Sequence, residues 1–393
     1  MSKTKKNGKK GTLAAIVALV VAFAIFVSGL VVVFLYNAVL KPSDFNNISI
    51  PVSGEGTGYY RHNYFELNES EQRLYSVIMQ SIYTQPERIE VPELNGGDLT
   101  KVFRAVSHDN PDLFNLGLNC TIYTEGLKTY FESEYIISYE DYTAKLNEVK
   151  GIASAIVDGA SIYTSNYEKE KYVHDYIINH CSYADPSESL MANTVYGCLV
   201  EGKASCEGYS RAFQYLMNLL NIENRLVTGE SADDGVNYVN HMWNYVVLDG
   251  EGYFVDLTWD DPRAEGNVLR HTYFNVNTND IFVKHRNIAQ SIPLCTSTKY
   301  NYFVYENVYF NIGSGEAFET KVYTGVYTAL QRQYSCVEFR FADKAVMEQA
   351  KNTLFNEGVI YNVYNEIGFV PDAGNAKVYY STDDTMNTIC LFF

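Results

Sequence analysis

The stretch KASCEGYSRAF, residues 203–213, sets one cysteine where a turn-prone approach (VYGCLVEG, residues 195–202) gives way to a helix-forming run. In EGYSRAFQYLMNLLNIE, residues 207–223, Tyr209, Ala212, Phe213, Leu216, Leu219 and Leu220 recur at helical spacing and predict one amphipathic helix. Ser205 is a good N-cap, and Asn221 can take the left-handed conformation that ends a helix. Cys206 therefore falls in the first turn, where unpaired N–H groups and the helix dipole favour a thiolate over a thiol. A small cysteine packed under a helix would read the same way on its own. The distinction rests on whether the chain also supplies a base and a group to orient it.

Both are offered by NHMWNYVVLDGEGYFVDLTWDDP, residues 240–262. It alternates on either side of Asp249-Gly250, a strong hairpin signal. A two-residue loop pairs Leu248 with Glu251 and, further out, His241 with Thr258. Period two then puts His241, Trp243, Tyr245 and Val247 on one face with Phe254, Asp256 and Thr258. An odd loop would split the imidazole and the carboxylate between faces. The opposite face is also mostly apolar, which predicts a sheet covered on both sides, and Asn244 interrupts it without a reason legible in the sequence. Cys206, His241 and Asp256 together suit an activated thiol: the imidazole accepts the thiol proton and the carboxylate fixes its tautomer.

GKASCEGYSRAFQYLMNLLNIENRLVTGE (residues 202–230), HMWN (241–244) and YFVDLTWDDP (253–262) resemble the transglutaminase-like core, whose catalytic arrangement is similar to papain's. The family pattern of Cys-x-Gly-aromatic-small, His-x-Trp and Asp-x-Thr is present in order over residues 165–262. ESEQRLYSVI (69–78) and FNVNTNDIFVKHRNIA (274–289) also resemble parts of multidomain members. Cys198 and Asn221 depart from it, standing where alanine and glycine are usual. The resemblance implies Cys206 as nucleophile, His241 as base and Asp256 as orienter. For the oxyanion, the N–H of Cys206 is one donor and Tyr196 a candidate second. Trp243 and Tyr245, on the His241 face, are candidate walls of the substrate cleft. The implied fold is α+β and papain-like, a Cys-bearing helix packed on an antiparallel sheet that carries His and Asp. The implied substrates are proteins or peptides, through a thioester that water or an amine resolves. Peptidase or amidase action uses the same triad, and a non-catalytic scaffold or adhesion protein is the rival of a different class.

The rest of the 393-residue chain has room for more than one domain. Residues 1–11 hold five lysines and no acid, and Leu13 to Leu35 is a run of 23 uncharged residues. At about 1.5 Å rise per residue that run spans a bilayer core of about 30 Å, which predicts an uncleaved transmembrane helix over 12–36. The lysines would stay in the cytoplasm, placing the catalytic part outside a cell membrane. Residues 37–58 read as a polar linker, 59–150 as an α+β region, 151–290 as the catalytic core and 295–393 as a small α+β domain. Beyond the first eleven residues, 47 acids face 25 bases, a net of −22 that excludes a phosphate-binding surface and so a nucleic-acid partner.

Seven cysteines without a CxxC pair give neither a zinc ribbon nor a thioredoxin motif. His174 and His180 are spaced six apart, which does not make a helical metal pair, and no EF-hand-like loop is visible. No metal or cofactor is implied. His62 and His108 have no matched partners in the sequence and read as structural.

Overall fold

Two left-handed residues, Asp249 (φ 52°) and Gly250 (φ 81°), turn the chain between the strands Val239–Leu248 and Glu251–Val255. Positive φ at both positions is what a two-residue hairpin turn of matching twist requires. The computed structural model describes residues 60–94, 97–261, 268–370 and 377–393. The expected membrane span and linker lie outside the described residues. No helix among the described residues is long and apolar enough to cross a membrane.

The chain divides into two compact units. The first takes Leu67–Phe103 and Gly117–Glu134. In it, helix α1 (Glu69–Ser81) starts on an Asn68 capping box with Glu71 and buries Leu74, Val77 and Ile78. Strands β1 (Ile89–Val91), β2 (Leu116–Glu125) and β3 (Lys128–Tyr135) form a sheet in the order β1-β3-β2. Helix α2 (Leu99–Asp109) crosses the boundary between the units and stops before Pro111, whose ring disfavours helix in the preceding residue.

The second unit holds the candidate site and the rest of the chain. Helices α3 (Tyr139–Ala160) and α4 (Asn166–His180) precede α5 (Cys206–Leu219). Then β4 (Asn224–Ser231), β5 (Val239–Leu248), β6 (Glu251–Val255), the one-turn helix α6 (Leu257–Asp260) and the short β7 (His285–Arg286) complete the core, with sheet order β6-β5-β4-β7. The register pairs Leu248 with Glu251 and Tyr245 with Phe254, as the two-residue loop requires. Asn221 ends α5 in the left-handed region at φ 56°.

Two expectations change here. Helix α5 is not one-sided: every residue from Gly208 to Asn218 is buried, while Leu219 is 42% exposed. Several of its polar side chains make bonds, though Gln214 Oε1 and Asn218 Nδ2 have no partner among the described residues. Arg211 reaches Glu207 and Ser107, Gln214 Nε2 donates to His108 O, and Asn224 Nδ2 donates to Asn218 Oδ1. Second, Thr258 is not on a strand. The ladder stops at Val255, and Asp256 caps α6 with its Oδ1 accepting from the N–H groups of Thr258 and Trp259.

Asn244 now has its physical reason. Its Nδ2 donates to Ser210 O at 3.0 Å, and Ser210 Oγ donates to Met242 O at 3.0 Å, so the inner face of β5 is bonded to α5. Further along, β8 (Tyr309–Phe310), α7 (Glu316–Gln331), β9 (Cys336–Phe341), α8 (Lys344–Lys351), α9 (Val359–Ile367), β10 (Tyr379–Asp383) and β11 (Thr388–Phe392) follow. Their sheet runs β8-β9-β11-β10. They cluster in the same unit as the core.

Candidate active site

Cys206 is the first residue of α5, half-buried, after Ser205 in extended conformation. Ser205 occupies the N-cap position but caps nothing with its side chain: its Oγ donates to Asn193 Oδ1 at 2.5 Å. The start of α5 is pressed against residues 192–204. A Cβ on Gly208 would stand 2.2 Å from Ala192 O and 2.8 Å from Ala204 Cβ, so only glycine fits two residues after the cysteine. As a first-turn residue, Cys206 has an N–H that the helix itself cannot pair.

His241 lies on β5, nearly buried, with Nε2 2.6 Å from Asp256 Oδ2. That commitment leaves Nδ1 for the Cys206 thiol, with which His241 interacts. Burial lowers the imidazole's proton affinity, but the Asp256 charge, its hydrogen bond and Cys206 outweigh burial and raise the pKa from 6.5 to about 10. Burial would likewise raise the Asp256 carboxyl, yet His241 and the hydrogen bonds from two imidazoles hold it well below the usual carboxylate range. The second imidazole is that of His285 on β7, whose Nε2 is 2.8 Å from the same Oδ2. Asp256 is fully buried, and both its oxygens are occupied.

A cavity of about 440 Å³ opens over Cys206 and His241, with Arg104, His108 and Gly229 among its lining residues. The structure thus brings the three residues expected to form the triad together beside open space. The other candidates are elsewhere. Tyr196 does not line the cavity; its hydroxyl donates to Glu148 Oε2 at 3.2 Å on α3. Trp243 and Tyr245 do not line it either. They are 0% and 7% exposed, in a core cluster with Phe254, Tyr273, Val276 and Met386. They share the His241 face as expected, but the chain beyond residue 270 covers that face.

Sequence reasoning missed two histidines. His108 reads as structural in the sequence, yet it lines the cavity, and its buried Nδ1 has no partner among the described residues. Burial first, then the charges of Arg211 and Arg104, lowers its pKa to about 3 and keeps it neutral. Neither His108 nor His285 carries a spacing signal to Cys206. Only the order of strands across the sheet brings His285 to the site.

His62, also read as structural, lies 3.5 Å from Glu223 and lines no part of this cavity. His180 Nε2 donates to Leu199 O at 3.0 Å. His174 instead bridges Asp175 Oδ1 (3.0 Å) and Asp260 Oδ2 (3.1 Å), the last residue of α6. Burial opposes its charge, but the two carboxylates prevail and raise its pKa to about 9. Burial pushes the Asp260 carboxyl up to about 7. An imidazole between two carboxylates is best satisfied as the cation, so His174 holds the proton.

Among the described residues, two groups place three ligand-type side chains together: His174, Asp175 and His271, and His241, Asp256 and His285. In the first, Lys171 Nζ already stands 2.6 Å from Asp175 Oδ2, where a cation would compete with an ammonium. In the second, both imidazoles make hydrogen bonds to the carboxylate that a metal would have to displace.

Residues 152–256 match the model of the Transglutaminase-like superfamily. That span covers the Cys206 helix, β5 with His241, and ends on Asp256. Among solved structures, the chain is similar to a TGase at 19% identity, covering 44% of this chain and 50% of that one, with a TM-score of 0.25. It is also similar to a candidate cysteine protease from Cytophaga hutchinsonii at 12% identity, covering 36% and 62%, with a TM-score of 0.25. The chain spans half to about three fifths of the length of these structures. No curated protein matches it significantly.

Proposed function

We propose that this protein is a transglutaminase-like cysteine enzyme that moves an acyl group from an amide to an amine or to water. The observation that carries this reading is His241 held between Asp256 Oδ2 and Cys206 at the floor of an open cavity. In the forward half, the Cys206 thiolate attacks the amide carbonyl and the carbonyl electrons move to oxygen. That oxyanion faces the first-turn N–H of Cys206. His241, protonated, gives its proton to the departing nitrogen as the C–N bond breaks, leaving a thioester. In the second half, His241 takes a proton from the incoming amine or water as it attacks, and the thiolate leaves.

Protein or peptide amides are the substrates this reading favours. Peptidase action remains the rival reaction, since the same three residues perform it. Tethering by residues 12–36, with the catalytic part outside the membrane, completes the reading and rests on the uncharged run behind five lysines.

The test is a partition measurement. A glutamine-containing peptide is supplied with increasing primary amine, and ammonia is measured against amide product. Transfer predicts amide product that grows with amine and is lost in Cys206→Ala. Acyl groups going to water alone at every amine concentration, or cleavage of the peptide backbone, would replace transfer by hydrolysis.

A further inference from the structure

His285 is used by no step above, yet it is built into the same carboxylate. Its Nε2 is 2.8 Å from Asp256 Oδ2, the very oxygen that accepts from His241, and its Nδ1 is 3.1 Å from Ile281 O. Both neighbours are acceptors. A neutral imidazole has one N–H, so either neutral tautomer sets a bare lone pair against an oxygen. Only the imidazolium satisfies both contacts.

The surroundings bear on that charge in both directions. Burial, the largest influence, and the charge of His241 lower the His285 pKa below its ordinary value, outweighing the hydrogen bond and charge of Asp256; what favours the cation is the pair of acceptors at its two ring nitrogens. The rings of Trp243, Trp259 and Tyr273 enclose it, with centroids 4.9, 4.9 and 5.7 Å from the His285 ring. The flanking charges are paired elsewhere: Lys284 Nζ lies over Trp259 and 3.4 Å from Asp233 Oδ1, and Arg286 pairs with Glu230.

The close approach has its own sequence cause. On β4, Gly229 pairs with His241 and Ser231 pairs with His285, which puts both histidines on one face across a strand. A Cβ on Gly229 would meet Trp243 Cη2 and Arg286 O at 2.7 Å, so the bare position lets the flanking groups close in.

We propose that His285 is a positioning residue of this site, an imidazolium that shares Asp256 Oδ2 with His241 and so leaves His241 a weaker base than the carboxylate alone would make it. This rests on the acyl-transfer reading above. Its use follows from the chemistry. A general acid that must surrender its proton to a leaving nitrogen works best when it does not hold that proton too tightly. Dividing one carboxylate between two imidazoles loosens that hold without removing the hydrogen bond that orients His241.

The experiment needs no substrate. Full-length protein is alkylated at Cys206 across pH, with the rate read by mass spectrometry, for the wild type, Asp256→Asn, His285→Phe and His285→Gln. The upper step of that profile reports the loss of the His241 proton. His285→Phe is expected to move it up by about one pH unit, because the whole carboxylate then serves His241. His285→Gln keeps a donor but no charge and is expected to move it by less. If His285→Phe does not fold, the Gln variant is read with ¹⁵N-histidine spectra of the unmodified protein, which should show both His285 ring nitrogens protonated at neutral pH. An unmoved profile in both His285 variants, with Asp256→Asn shifted, overturns the proposal alone, as does a singly protonated His285. An unmoved profile in Asp256→Asn overturns the triad reading itself and the proposal with it.

Discussion

Replacing Asp256 by asparagine should leave the fold standing and remove most of the activity. The carboxylate has two separate duties. Its Oδ1 caps α6 through Thr258 N at 3.1 Å and Trp259 N at 3.2 Å. Asparagine caps as well as aspartate, so that duty survives. Its Oδ2 accepts from His241, and there an amide nitrogen would donate instead. His241 Nε2 must then present a lone pair, which moves the ring proton to Nδ1, the nitrogen facing Cys206. A base with its proton on the wrong nitrogen cannot take another.

In a serine protease triad the same change costs about 10⁴ in rate, or roughly 5.4 kcal/mol at 1.36 kcal/mol per decade. The stability effect has a pH window. His241 has a folded pKa of about 10 against an ordinary 6.5, so its share of the pairing is full below 6.5 and lost as pH rises through 10. Asp256 is depressed below 3.8, so its share is present above 3.8 and lost as pH falls through its folded pKa. These are one interaction seen from two partners, with Cys206 adding to the His241 side of it. The variant should therefore fall furthest behind the wild type between about pH 4 and 6.5, and the gap should narrow towards pH 10. Denaturant unfolding across pH measures the gap, and thioester formation measures the rate. Unchanged turnover, or a stability gap that widens above pH 9, would refute the reasoning.

Limited alkylation should label Cys206 before any other cysteine. Only Cys120 shares its partial exposure and burial raises that thiol's pKa, so labelling of Cys120 first would count against the site. Gly229→Ala should lower stability by about 1–3 kcal/mol by overpacking, since the new methyl meets Arg286 O and Trp243 Cη2 at 2.7 Å; an unchanged denaturant midpoint would show that β4 can give way. Cell fractionation should find the protein in the membrane pellet with residues 12–36 intact, and a soluble product beginning near residue 40 would make that segment a cleaved signal.

The local pieces of the site were legible because each has a short-range cause. Helical spacing gave α5, the Asp249-Gly250 turn gave the register, and the register gave the shared face of His241 and Asp256. What the pattern could not carry was where a strand stops and what lies over a face. Asp256 leaves the ladder because its side chain satisfies the N–H groups of the next turn. Trp243 and Tyr245 read as cleft walls because their face was right, but Tyr273, Val276, Ile281 and Met386 close over that face from 28 or more residues away. Tyr196 had a plausible place in sequence and a partner, Glu148, that no spacing links to it. His285 depends on a two-residue strand pairing with β4, too short to leave a periodic trace.

The one-turn helix after Asp256 is fastened at its other end by Asp260 to His174, which joins Asp175, which joins His271 at 2.7 Å. His271 N and Thr272 Oγ1 in turn donate to Glu338 of β9, at 2.5 and 2.7 Å. Met386 packs into the cluster behind Trp243, and Arg340 pairs with Asp280 at 2.6 Å. A truncated gene ending near residue 290 would thus strand the backbone N–H of His271 and the hydroxyl of Thr272, and bare one wall of the Trp243 cluster to water. A minimal working fragment must therefore keep Arg104 to His108, which line the cavity and bond α5, as well as roughly the last hundred residues, which are joinery for the carboxylate that steers the histidine.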